Sequence, residues 1–168
     1  DSVTTIGEDA FYKCYAIESL TIGNSVTTIG EDAFYNCSAL DRVYITDIEA
    51  WCNIEFSSAS SNPLYYAKNL YVNGELLTEL VIPNSVTSIG KEAFKNCKDL
   101  INIIIPNSVT EIQDNAFEGC TSLKEIYIPS TVKKMGNNVF AVCNSLKSIV
   151  IPDSVTSISD KVFSRCGS

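Results

Sequence analysis

Cysteine recurs at Cys14 and Cys37, and again at Cys97, Cys120, Cys143 and Cys166, with the same 23-residue interval between neighbours in each group. The remaining gap, between Cys37 and Cys97, is one such interval plus a longer, 37-residue unit. A fixed period this short constrains the fold more than any composition can. A 23-residue unit cannot enclose a core alone, so its apolar positions must be buried against the same positions of its neighbours. Units begin at Asp1, Asn24, Asn84, Asn107, Ser130 and Asp153, the last cut short at Ser168, and one irregular unit spans 47–83. Together they fill all 168 residues as a single array, 1–168, with no linker.

Within a unit the apolar positions recur in register. Val26, Ile29, Ala33, Phe34, Cys37, Leu40, Val43 and Ile45 reappear as Val109, Ile112, Ala116, Phe117, Cys120, Leu123, Ile126 and Ile128. Leu40, Val43 and Ile45 have the spacing of a short strand that sends alternate side chains inward. Pro83, Pro106, Pro129 and Pro152 end four of these strands, where a missing N–H does least harm. A second, shorter strand is expected around residues such as Val86 and Ile89. Gly7, Gly30, Gly90 and Gly136 mark a bend after it, where a left-handed backbone is favoured, although Gln113 and Ser159 take the same place in two units. The run from Glu31 to Cys37 then reads as a single helical turn, with acidic residues at its start and Ala33 and Cys37 on one face. Phe11, Phe34, Phe94, Phe117, Phe140 and Phe163 are expected to stack as a spine. The fold class is a repeat solenoid: short β-strands stacked into a parallel sheet, joined by single helical turns and loops.

The residues that carry this pattern resemble a known family. NSVTTIGEDAFYNCSALDRVYI, with its copies SVTSIGKEAFKNCKDLINIIIP and SVTEIQDNAFEGCTSLKEIYIP, is similar to the leucine-rich repeats of BspA-like surface proteins, the Treponema pallidum type. The irregular unit, through DIEAWCNIEF, SNPLYYA and NLYVNGELLTELVIP, resembles a variant unit of those proteins. The resemblance covers the whole chain. It implies a leucine-rich-repeat right-handed superhelix, on a secreted or cell-surface protein of a host-associated bacterium, used in adhesion or other protein contacts.

Composition narrows the chemistry. With 12 basic and 20 acidic residues, a net charge of -8 and no histidine, the chain lacks the basic footprint that nucleic acid demands. It also lacks the commonest general base and the commonest zinc ligand. No GxSxG, phosphate loop or isolated carboxylate pair stands out, so no enzyme activity, cofactor or metal site is expected. No segment suggests direct membrane insertion. Six of the seven cysteines fall on the core ladder after the phenylalanines, and free buried thiols fit that position better than bridges, because parallel Cβ vectors are a poor start for a disulfide. A zinc site would need a close cysteine pair that the sequence lacks.

Two surfaces are candidates for binding. The central outward position of the strands reads Thr21, Tyr44, Val81, Ile104, Tyr127 and Val150, mostly apolar where a solvated face should be polar, beside Arg42, Glu79, Asn102 and Glu125. In a leucine-rich repeat these residues line the concave sheet. They read either as a protein-binding stripe or as residues that simply favour strands. In the irregular unit, Asp47 is placed to cap a short helix, and Asn73-Gly74 is a hairpin signal. There Trp51, Tyr65, Tyr66 and Tyr71 either form an exposed platform for a glycan or peptide, or plug the wider coil. The paired hydroxyls Thr27–Thr28, Thr87–Ser88 and Thr156–Ser157 read as solvated β-structure, with glycan contact the lesser alternative. All the net charge lies in residues 1–67, which read as a solvated acidic face; Glu8, Asp9, Glu31 and Asp32 lack calcium-loop spacing.

The function expected is therefore non-enzymatic recognition of a host or microbial surface or matrix protein, with a structural spacer or a glycan-binding module as the alternatives. The chain opens and closes in mid-pattern without capping units. That suggests a fragment of a longer protein, and end-to-end self-association of the uncapped solenoid.

Overall fold

The computed structural model describes residues 2–167; Asp1, which starts the first repeat, lies outside them. The chain is a parallel β-solenoid with little helix, divided into two compact units, Asp1–Leu76 and Leu77–Ser168.

The first unit contains β1 (Thr5–Ile6), β2 (Ser19–Thr21), β3 (Thr28–Ile29), β4 (Arg42–Ile45), α1 (Ile48–Cys52), β5 (Glu55–Phe56), β6 (Asn69–Val72) and β7 (Glu75–Leu76). The second contains β8 (Glu79–Val81), β9 (Ser88–Ile89), β10 (Asn102–Ile104), β11 (Glu111–Ile112), β12 (Glu125–Tyr127), β13 (Lys134–Met135) and β14 (Ser148–Val150). Each complete regular coil places one longer strand and one of only two residues, whereas the irregular unit holds β5 to β8. The longer strands make the sheets β2-β4-β6-β7 and β8-β10-β12-β14, and the short ones make β1-β3-β5 and β9-β11-β13. The sequence predicts one continuous sheet, but the strands are shared between two, because the irregular unit turns back on itself. Asn69 pairs with Arg42, further along the chain than the regular repeat would place the partner, and β6 then folds onto β7 through Asn73-Gly74 before β8 begins the next sheet. Both turn residues have positive φ, 52° and 86°, the geometry that suits the right-handed twist of a hairpin.

The core follows the repeat. Val43, Leu70, Leu80, Ile103 and Ile126 point inward from the longer strands, and Ile29, Ile89, Ile112 and Met135 from the shorter ones. The phenylalanine spine forms in each unit. Phe11 stacks on Phe34 at 5.1 Å, and Phe94, Phe117, Phe140 and Phe163 follow one another at 5.6, 5.7 and 5.9 Å with rings nearly parallel.

The segment leading to each of the six cysteines of the 23-residue ladder departs from the expected helical turn. It is a chain of overlapping β-turns, closed by Ala33 N–H to Gly30 O, Tyr35 N–H to Asp32 O and Cys37 N–H to Phe34 O. The intervening N–H groups point to the neighbouring coil instead: Asp9, Phe11 and Lys13 donate to the carbonyls of Glu31, Ala33 and Tyr35. A helix would spend every N–H on its own carbonyls and leave none for the neighbour. The alternation requires two left-handed residues per coil. They are Asp9 and Lys13, Asp32 and Asn36, Glu92 and Asn96, Asn115 and Gly119, Asn138 and Val142, Lys161 and Arg165.

The bend glycines are likewise used differently from the expectation. Gly7, Gly30 and Gly136 are not at positive φ. A Cβ on Gly30 would lie 2.5 Å from the Glu8 backbone nitrogen, and one on Gly136 would lie 2.5 Å from that of Asp114, whereas one on Gly7 would meet nothing within 4 Å. Glycine is needed at positions 30 and 136 for the close approach of the preceding coil.

Candidate interaction surface

On the second unit's larger sheet, Glu79, Asn102, Glu125 and Ser148 are aligned by strand pairing, and so are Val81, Ile104, Tyr127 and Val150. Between these rows the side chains of Leu80, Ile103 and Ile126 turn into the core. Strand alternation therefore obliges both rows to face outward together. The apolar row is open: Val81 is 60% exposed, Ile104 61%, Tyr127 68% and Val150 71%. That is roughly 500 Å² of accessible surface, within the range for the largest apolar patch on a soluble monomer. Among the described residues neither Glu79 nor Glu125 is in an ion pair.

The first unit presents a different surface. Register aligns Thr21, Tyr44 and Tyr71, and the rings of Tyr44 and Tyr71 pack at 4.9 Å. Tyr44 is half-buried as a result. Arg42 lies beside it, 3.9 Å from Glu18, an exposed and weak pair.

The four aromatic residues of the irregular unit do not assemble into a platform. Trp51 is 1% exposed and meets Phe56 edge-on at 5.6 Å, because α1 is pinned at its start by Asp47 Oδ1, which accepts from the Glu49 and Ala50 N–H groups. Tyr71 belongs to the sheet. Only Tyr65 and Tyr66 pair with each other, at 5.0 Å, and Tyr66 accepts a hydrogen bond from the Asn36 backbone.

An exposed aromatic group that the sequence reading missed lies on the turns of the first unit. Tyr12 stacks on Tyr35 at 5.3 Å, Lys13 Nζ sits 4.9 Å over the Tyr12 ring, and Tyr15 is exposed nearby in sequence. The recurrence of tyrosine at one repeat's spacing, Tyr12 and Tyr35, was the available signal.

The remaining chemistry is structural. Threonine hydroxyls in and beside the short strands are used locally: Thr27 Oγ1 donates to Thr4 O and Thr110 Oγ1 to Thr87 O. All seven cysteines are free thiols, and five are buried. Cys37, Cys120, Cys143 and Cys166 donate Sγ–H to the carbonyls of Phe11, Phe94, Phe117 and Phe140 in the preceding coil, at 3.1, 3.3, 3.4 and 2.8 Å. Burial raises these thiols, pushing Cys52 and Cys143 up to about 12 and Cys97 and Cys120 far above the ordinary range. A thiol that stays protonated is a poor nucleophile and metal ligand. Among the described residues no three His, Cys, Asp or Glu side chains converge as a metal site, and no helix is long and apolar enough to cross a membrane.

Six copies of the BspA type leucine rich repeat match the sequence, over residues 1–72 and 65–168. The chain belongs to this family. No curated protein matches it. Among solved structures, this BspA-type chain is similar to a leucine rich cell surface protein from Faecalibacterium prausnitzii A2-165, with 32% identity, a TM-score of 0.57, and coverage of 88% of this chain and 42% of that one. A leucine-rich repeat protein from Eubacterium ventriosum gives 23% identity and a TM-score of 0.57, with 99% and 62% covered. The T. pallidum leucine rich repeat protein gives 23% identity and a TM-score of 0.52, with 86% and 72% covered. The chain thus spans less than two thirds of the length of the first two. The latter two likenesses, at the lower identity, concern the fold alone.

Proposed function

We propose that this BspA-type repeat region is a non-enzymatic protein-binding module of a secreted or cell-surface protein, and that it holds a host or microbial surface protein on the open sheet of its second unit. The observation that carries the reading is the apolar row Val81, Ile104, Tyr127 and Val150, exposed on every strand of a sheet whose inner face is fully apolar. Glu79, Asn102 and Glu125 form its polar border, the arrangement of an interface core and rim. The 32% identity to a cell surface protein supports the location. The glycan alternative loses its main support with the burial of Trp51. Tyr44 and Arg42 are a secondary contact at most, since Tyr71 covers part of Tyr44.

The test is replacement of Ile104 and Tyr127 by Ser, both exposed and thus compatible with an intact fold, followed by binding to cells and immobilised matrix proteins. Loss of about tenfold or more in affinity is expected for central residues of an interface. Unchanged binding by a folded variant rejects this face.

A further inference from the structure

The spacing and charge of the row specify what kind of element lies on it. We propose that the partner presents an amphipathic α-helix laid along Val81, Ile104, Tyr127 and Val150, across the strands; this rests on the binding role proposed above for the same face.

Neighbouring parallel strands are about 4.8 Å apart, so the four side chains span about 14 Å in steps of one strand. The apolar ridge of an α-helix, residues i, i+3 or i+4, i+7 and i+10 or i+11, advances about 4.5 to 6 Å per step and about 15 to 16.5 Å over three steps. Each ridge residue therefore meets one residue of the row. An extended segment in the same position repeats on one side about every 6.6 to 6.8 Å and covers about 20 Å in three steps. It would run out of register within the row. The pairing edges of β10 and β12 are both occupied by neighbouring strands, so main-chain pairing is not open to an extended segment on this face.

The borders fix the helix's charges. One side of the row carries Glu79, Asn102, Glu125 and Ser148; on the other the strands run into the half-buried Pro83, Pro106 and Pro152 and the buried Pro129, which offer no charge. Immediately before the acidic row stand Thr78, Ile101, Lys124 and Lys147. At the β8 end the border is acidic, through Glu79. At β12 and β14 the exposed Lys124 and Lys147 immediately precede Glu125 and Ser148, so the charge along this edge changes from acidic at the β8 end to basic at the β14 end. A helix carrying a basic residue at one end and an acidic residue at the other, about ten residues apart, satisfies both ends at once.

Fluorescence anisotropy with labelled 14-residue peptides on the full chain tests this. One peptide carries leucines at the 3–4 spacing with Lys at one end and Glu at the other; a second has the same composition in strict alternation; a third and a fourth are the helical peptide with only Lys or only Glu. The first is expected to bind in the micromolar range, as suits a small interface. It should gain helical circular dichroism on binding, and should lose about tenfold in affinity with Tyr127→Ser or Ile104→Ser. The alternating peptide should bind about tenfold more weakly, and the single-sign peptides should fall between. Equal or tighter binding of the alternating peptide, indifference to Tyr127→Ser, or no binding by any peptide overturns the helix. If the serine variants lose cell or matrix binding while no peptide binds, only the helix fails. If the peptide binds but the variants keep cell binding, it is the proposed function of the face that fails.

Discussion

Phe117→Ala removes the central ring of the second unit's spine. The side chain is fully buried and stacked between Phe94 at 5.6 Å and Phe140 at 5.7 Å, with interplanar angles of 8° and 3°. Truncating a core phenylalanine costs about 3 to 5 kcal/mol, part lost transfer energy and part cavity. The upper end applies here, because the flanking rings cannot close the gap: Phe94 N–H is tied to Ala116 O and Phe140 N–H to Val162 O. Phe163→Ala is the internal comparison. Its ring is only partly buried and stacks on Phe140, so about 1.5 to 2 kcal/mol is expected. Urea unfolding followed by far-ultraviolet circular dichroism, with m-values compared, measures both changes. Fluorescence of Trp51, which lies in the first unit, separates that unit's transition. Phe117→Leu, expected to cost about 1 to 1.5 kcal/mol, covers the case in which the alanine variant does not fold. Equal costs at positions 117 and 163, or a cost below about 1.5 kcal/mol at 117, would refute the claim that the rings are a packed interior spine.

Gly30→Ala should destabilise by about 2 kcal/mol or more, since its Cβ meets backbone, whereas Gly7→Ala should be neutral or gain about 0.5 kcal/mol; thermal melts compare the two. Val142→Asn should raise stability by about 0.5 to 1 kcal/mol in urea titration, because a β-branched residue at φ 62° is strained by more than the burial it provides. Stability should fall as pH rises above the ordinary thiol pKa of 9.0, since the unfolded chain then releases protons that Cys52 and Cys143 retain up to about 12. The slope is about 1.4 kcal/mol per pH unit for each such thiol, and a flat profile from about pH 8 to 10.5 would contradict it. Ser61→Ala should cost about 1 to 3 kcal/mol by melt, because its buried hydroxyl donates to Gly30 O at 2.7 Å and accepts from Ser58 N–H at 2.9 Å.

What the sequence made legible is what repeats. The strands, the inward ladder and the phenylalanine spine each rest on a side chain recurring once per coil, and apolar burial reads directly from such recurrence. The chain of turns did not read, because its cause is backbone direction: Ala33 and Cys37 are four apart in either a helix or overlapping turns, and both are buried in the turns too. The clue lay in the left-handed positions, where Asn36, Asn96, Asn115, Gly119 and Asn138 recur, but Val142 and Lys161 blur them. The exposed row was visible as alternation within β8, β10, β12 and β14. Its interruption was not, since Tyr71 enters the register only through the shifted pairing of β6 with β4.

The irregular unit shows why side-chain pattern and hydrogen-bond pattern can part company. In the regular coils, the turn N–H groups find carbonyls of the adjoining coil, as Asp9 finds Glu31 and Phe11 finds Ala33. Where the adjoining coil is the longer one, Phe34 N–H still finds a carbonyl, that of Ser60, but Asp32 N–H is taken by Ser58 Oγ and the Asp32 carboxylate by Ser60 Oγ. The serine-rich run thus contains the buried Ser61 and leads into the buried Asn62, which caps Leu64 N–H at 2.9 Å. Hydroxyls supply here what backbone supplies elsewhere, because the longer coil cannot bring its own backbone groups to every required point. The same length that breaks the period feeds the β6–β7 hairpin, which closes the first sheet on a paired strand. The ladder of coils is interrupted without leaving the turn segment of the second coil unsatisfied, and the apolar row of the second unit begins anew at Val81.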